Sequence, residues 1–253
     1  MNLLAPLDGL SPAAVAIMLA GLVLASLARG YSGFGFSALL VASWSLVTNP
    51  AKAVALALIM EVTASVFQAF SVWKDIPWKR VGLLIAGAAL GTPIGVHLLA
   101  NTDDRLLRMG LAGFIFLAAI ALLSGWKLKR RANQLGTAGV GVASGVCNGA
   151  VAMGGLPVAI FLTADGDSPK AIRAAVVAYF FLLDIVGLIF LSREGLVDGQ
   201  SFSLAILCLP VLLLGMWAGG RHFLGATPEG FRRVTLGLLL VLSLIGMARA
   251  IWG

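Results

Sequence analysis

The 253-residue sequence predicts an all-α polytopic membrane protein, and three observations carry that reading. The chain is 60% hydrophobic and 11% charged, with a mean hydropathy of +1.00, whereas soluble domains carry about 25% charged residues. Apolar stretches of about 20 residues, the length that crosses a bilayer, recur between short charged connectors. None of these stretches alternates polar with apolar residues, which excludes a β-barrel.

Residues 12–48 are apolar but broken by Arg29-Gly30-Tyr31-Ser32-Gly33-Phe34-Gly35-Phe36-Ser37. Glycine this dense interrupts a helix, and the freed backbone groups survive at membrane depth only inside protein or beside water. Plain spans follow at 51–72, 81–99 and 106–125. The pattern then repeats. Residues 135–163 form a second broken segment, with Ser144-Gly145-Val146-Cys147-Asn148-Gly149 and then Met153-Gly154-Gly155-Leu156-Pro157. Plain spans at 171–191, 201–218 and 234–252 complete the chain. Trp73, Trp78, Trp126 and Trp252 fall at span ends, where amphipathic rings favour the headgroup level.

Each broken segment leads into a proline that opens the next helix, Pro50 after Asn49 and Pro169 after Ser168. The two prolines lie 119 positions apart, close to half of the chain. The sequence thus reads as two transmembrane repeats, 1–134 and 135–253, each a broken hairpin plus three spanning helices. Paired interrupted helices in two halves are the sequence mark of a transport site.

Charge sorts the topologies. Eight simple spans, a parallel repeat, would divide the connector Lys and Arg eight against nine. Hairpins that return to their starting side divide them twelve against five, so the positive-inside rule favours the hairpin model and an inverted repeat. The net charge of +7 is thereby read as orientation and not as a nucleic-acid footprint. Asp8 and the lack of Lys or Arg among the first ten residues argue against a cleavable basic leader, so the first apolar segment is read as mature protein.

The paired signatures Gly30-Tyr31-Ser32-Gly33-Phe34-Gly35-Phe36 and Gly149-Ala150-Val151-Ala152-Met153-Gly154-Gly155-Leu156-Pro157, with Ala171-Ile172-Arg173-Ala174-Ala175 and Ala178-Tyr179-Phe180, resemble the sulfite exporter TauE/SafE family. Phe36 and Ser37 depart from that pattern, standing where further glycines are common. The resemblance implies a bacterial-type inner-membrane transporter that moves sulfur-containing anions, sulfite or small organosulfonates, commonly outward.

Half-helix N-termini offer free N–H groups to such an anion. That places substrate near Gly33, Phe34, Gly35 and Phe36 in the first break and Met153, Gly154, Gly155 and Leu156 in the second. Ser32, Ser37, Asn148 and Tyr179 are candidate neutral donors. Arg29 and Arg173 are the cationic candidates, since a guanidinium matches an oxyanion's geometry. Close helix packing by the glycines and ordinary interfacial charge for the arginines are the structural alternatives. Glu61 and Asp184, the acids well inside spans, are candidates for proton coupling, against a structural ion pair. No cofactor, metal site or nucleic-acid partner is expected. Cys147 and Cys208 lie in apolar stretches, and His97 and His222 have no metal-binding spacing. The partners expected are the bilayer, a small anion, protons and, in a homo-oligomer, further copies of the chain. A passive anion channel is the rival function, and a Ser144–His97 intramembrane hydrolase a remoter one.

Overall fold

The computed structural model describes residues 10–32, 35–124 and 132–222, together with positions 237, 240, 241, 244, 245 and 248. Gly33, Phe34, the connector 125–131 and nearly all of the expected span 234–252 lie outside the described residues. Among those described, every element is helical: α1 (Pro12–Ser32), α2 (Phe36–Trp44), α3 (Pro50–Val72), α4 (Trp78–Asn101), α5 (Asp104–Ser124), α6 (Gln134–Val151), α7 (Gly155–Ala164), α8 (Pro169–Arg193) and α9 (Gly199–His222). Five of them, α1, α3, α4, α8 and α9, are long and apolar enough to cross a membrane. Large apolar side chains such as Phe70, Leu90, Leu117 and Leu214 are exposed on the outer faces, as lipid contact requires.

Local chemistry sets the helix starts. Pro50 and Pro169 occupy first-turn positions, where a missing N–H costs nothing. Asn49 and Ser168 cap those turns by accepting from Ala51 N at 2.8 Å and Ala171 N at 3.3 Å.

The breaks are narrower than the glycine content suggests. Helix α1 continues through Arg29, Gly30 and Tyr31 to Ser32. In the second segment Ser144–Gly149, expected as an interruption, is helical, and α6 runs on to Val151. The break proper is Ala152–Gly154. Gly145 and Gly149 serve packing instead: a Cβ on them would lie 2.3 Å from Ala88 O and 2.4 Å from Thr92 O on α4. Small residues let two membrane helices touch backbone to backbone.

Both broken segments fold back. Trp44 Nε1, at the end of α2, donates to Met18 O near the start of α1 at 2.8 Å. Ala132 N, just before α6, donates to Asp165 Oδ1, just after α7, at 2.9 Å. Helix α3 therefore begins at the end where α1 begins (the upper end), and α8 begins at the end where α6 begins (the lower end). Three boundaries recur at one spacing: α1 and α6 end at Ser32 and Val151, α2 and α7 start at Phe36 and Gly155, α3 and α8 start at Pro50 and Pro169, each pair 119 residues apart.

Helices α3 and α8 pack together at the centre. Around them the strongest contacts cross between the first five helices and the last four. Helix α4 lies along α6 through Gly87, Gly91 and Gly95 facing Gly141, Gly145 and Gly149. Helix α1 lies along α9, with Gly30 against Met216 O and Gly219 against Leu27 O. At the lower end Arg80 is clamped by Asp165 and Asp167, and Lys170 Nζ lies 3.1 Å from Asp75 Oδ1. All nine residues of α2 are buried, so its backbone never meets lipid.

Candidate functional site

The site grows from the last turn of α1. Arg29 is fully buried there, with its charge at the negative end of the helix dipole. Its Nη2 donates to Ser65 Oγ at 2.7 Å and lies 3.2 Å from Glu61 Oε2, and its Cζ sits 4.9 Å from the centroid of the Phe180 ring. Glu61 and Ser65 are four residues apart on α3, so they share one face. Gln68, one turn further, donates from Nε2 to Arg29 O at 3.2 Å.

Gly35 launches α2 from the left-handed region (φ 88°), which a residue without Cβ adopts readily. Two residues on, Ser37 donates to Glu61 Oε1 from both its N (3.3 Å) and its Oγ (2.7 Å). A carboxylate thus rests on the first turn of α2, where unsatisfied N–H groups and the positive dipole end lie.

At the second break Ala152 takes a left-handed φ of 56°, the one positive φ outside glycine among the described residues. Asn148 Nδ2 donates to Asp184 Oδ1 at 2.9 Å, and Gly154 N donates to Asn148 Oδ1 at 3.2 Å. Asp184 is fully buried, its Oδ2 has no hydrogen-bond partner among the described residues, and it lies in electrostatic reach of Glu61 and Arg29. The two breaks meet at Phe180. Its ring lies beside the Arg29 guanidinium, and a Cβ on Gly155 would fall 1.9 Å from its Cζ.

The spacing of 119 reappears here. Arg29–Ser65 and Asn148–Asp184 are each bonded across 36 residues, and both partners of the first pair stand 119 before those of the second. At the same offset Glu61 corresponds to Phe180.

The family model described as Sulfite exporter TauE/SafE matches residues 17–246, nearly the whole chain. The chain belongs to this family. A relative, the Probable inner membrane transporter protein TsaS of Comamonas testosteroni, is 24% identical over 208 residues, covering 78% of this chain and 83% of that protein. No solved structure matches. This TauE/SafE-family chain is an integral inner-membrane transporter.

Of the residues singled out in its sequence, the fold brings Arg29, Ser37, Glu61, Asn148, Gly154, Gly155 and Asp184 around Phe180. Phe36, Met153 and Leu156 are buried in the core. Ser32 closes α1, and Arg173 is half-buried, about two turns below Phe180 on α8 and within electrostatic reach of Arg29. Ser65 and Phe180 are additions. Ser65 is legible as the residue one turn beyond Glu61, and Phe180 as the counterpart of Glu61 at the 119 offset.

Tyr179, expected as a donor to the anion, donates to Ser144 Oγ at 2.7 Å, and Ser144 Oγ donates in turn to Gly154 O. This chain pins the second break to α8 and α6. Ser144 is fully buried while the exposed His97 bonds to Asn101, so the two do not form a dyad. Tyr179→Phe removes one neutral hydrogen bond and is expected to cost about 1 kcal/mol with flux largely retained. Abolished flux in a fully folded variant would mean that the hydroxyl reaches substrate.

Proposed function

We propose that this transporter carries small sulfur-containing oxyanions, sulfite or organosulfonates, outward by alternating access, with protons moving through Glu61 and Asp184. One observation carries the reading: a fully buried arginine, held by a serine and a carboxylate, at the meeting of two broken helices. A buried guanidinium needs a counter-charge, and a site meant to exchange anions needs one that can be replaced. The family's description and the resemblance in the glycine signatures give the substrate class.

The recurring 119-residue spacing and the opposed ends of the two hairpins support an inverted duplication. The lower end collects Lys74, Lys79, Arg80, Lys170 and Arg221 and is the cytoplasmic one on the positive-inside rule. The glycine contacts also support a division into moving bodies. Backbones touching along α4–α6 and α1–α9 make those pairs rigid, so each moving unit combines helices from both repeats. Motion falls between these units, around α3 and α8. At the lower end Arg80 bridges Asp165 and Asp167 beside a cavity of about 640 Å³ lined by Trp78, Arg80, Asn133 and Asp165 among others, and at the upper end a smaller cavity of about 70 Å³ is lined by Trp44, Lys52, Asp198 and Ser201 among others.

The test is a thermal-shift screen of purified protein against sulfite, thiosulfate, sulfate, taurine, isethionate and sulfoacetate, followed by flux in proteoliposomes. A ligand at 100 times its Kd stabilises the folded state by about 2.7 kcal/mol. The expected result is stabilisation by at least one sulfur anion and slow, saturable flux of it. Conductive, non-saturating current would establish the channel reading instead.

A further inference from the structure

We propose that Glu61 is a built-in occupant of the anion site, which the substrate's oxyanion displaces with uptake of one proton by the Glu61 carboxylate. The proposal rests on the oxyanion-transport reading and adds to it the resting ligand and the proton count.

At the first break, the described groups that would receive a substrate oxyanion already hold this carboxylate. Arg29 lies on Oε2, and the N–H and hydroxyl of Ser37 lie on Oε1. The same site at the second break works without such a group. At the 119 offset Arg29 becomes Asn148 and Ser65 becomes Asp184, but Glu61 becomes Phe180, and Gly154 N is satisfied by Asn148 Oδ1. A broken helix of this fold therefore needs no carboxylate on its first turn, which leaves Glu61 in excess of what the architecture requires. Charge then decides the proton. The ionisable groups that face this centre are Arg29 from α1, Glu61 from α3, Asp184, Tyr179 and Arg173 from α8, and Cys147 from α6. With an oxyanion on Arg29, an ionised Glu61 would be stripped of its cation and would stand beside that oxyanion as a second buried negative charge. Breaking a buried pair in that way costs several kcal/mol. One proton on the displaced carboxylate removes the penalty: the carboxylate binds a proton from water, the oxyanion takes its place on Arg29, and the net charge of the centre is unchanged.

The probe is isethionate, a sulfonate that does not itself titrate near neutrality, bound to the intact protein in detergent. Calorimetry in buffers of different ionisation enthalpy is expected to count about one proton taken up per sulfonate. The apparent Kd should weaken about tenfold per pH unit as the pH rises, wherever binding takes up one proton. Glu61→Gln is expected to abolish the uptake, flatten the pH profile and tighten binding about tenfold or more at pH 8. Binding by wild type without proton uptake and with a flat profile overturns the inference while leaving oxyanion transport intact, and needs no variant that folds. Uptake that persists in Glu61→Gln but vanishes in Asp184→Asn also overturns it, by assigning the proton to Asp184. If no sulfur anion binds at all, the transport reading falls and this inference with it.

Discussion

Arg29→Gln is expected to abolish flux in proteoliposomes and to lower stability in detergent by about 3–5 kcal/mol, the range for breaking a buried ion pair. The size follows from what the change strands. Arg29 and Glu61 are both fully buried, and Asp184 lies within their electrostatic reach. Removing the cation leaves Glu61 with only the Ser37 donors, and Ser65 loses its guanidinium contact. Arg29→Lys retains charge but not the fork that reaches Ser65 and Glu61 together, so it should recover part of the stability and little of the flux. The double variant Arg29→Gln/Glu61→Gln separates the two roles. It removes both charges, with Gln isosteric with Glu though smaller than Arg, and stability should return to within about 2 kcal/mol of wild type while transport stays absent. If the double variant transports normally, Arg29 and Glu61 are only a structural pair.

How much of this centre could be read beforehand depends on what kind of signal each residue leaves. Burial of a charge inside an apolar span is visible in sequence because lipid punishes it, and so Glu61, Asp184 and Arg29 stood out. The prolines that start α3 and α8 are visible because each follows a capping residue, Asn49 or Ser168, and a first turn loses no hydrogen bond to a proline, whereas Pro93 and Pro210 lie inside α4 and α9. Glycine leaves an ambiguous signal. It marks both a chain that must turn and a helix that must be approached closely, and periodicity separates the two. Gly141, Gly145 and Gly149 recur every four residues, the spacing of one helix face, and are helical, whereas the adjacent Gly154 and Gly155 close the break and open α7. The matching stripe on α4, Gly87, Gly91 and Gly95, lies inside a plain span and carries no sign of its partner, because which helix fills a groove is a tertiary choice. Tyr179 shows the same limit: a hydroxyl near a site has one preferred partner, and only the fold shows that Ser144 takes it.

Gly145→Val is the second large effect, and it tests the fold and the site together. A Cβ at this position would stand 2.3 Å from Ala88 O, and at Gly91 on the facing helix 2.1 Å from Val142 O. These neighbours are backbone atoms, so no side chain can swing aside. The helices would have to separate by about an ångström, since ordinary contact begins near 3.4 Å. All six glycine contacts along α4–α6 open at once, and packing attraction lost at such gaps is a large part of each contact. Without a hydrophobic drive between helices in lipid, little else holds this pair. Gly145→Val and Gly91→Val are therefore each expected to cost about 3 kcal/mol or more and to collapse the yield of folded protein. The comparison is with Gly139→Ala and Gly113→Ala, where nothing lies within 4 Å. Those should be neutral or stabilising by up to about 1 kcal/mol, as alanine is the better helix former. A Gly145→Ala variant that still folds should show a displaced second break, because Ser144 and Asn148 flank the contact and hold Gly154 and Asp184. Its flux should fall further than its melting temperature. A Gly145→Val protein that purifies and melts like wild type would mean that α4 and α6 are not packed backbone to backbone, and the proposal of rigid pairs α4–α6 and α1–α9 would go with it.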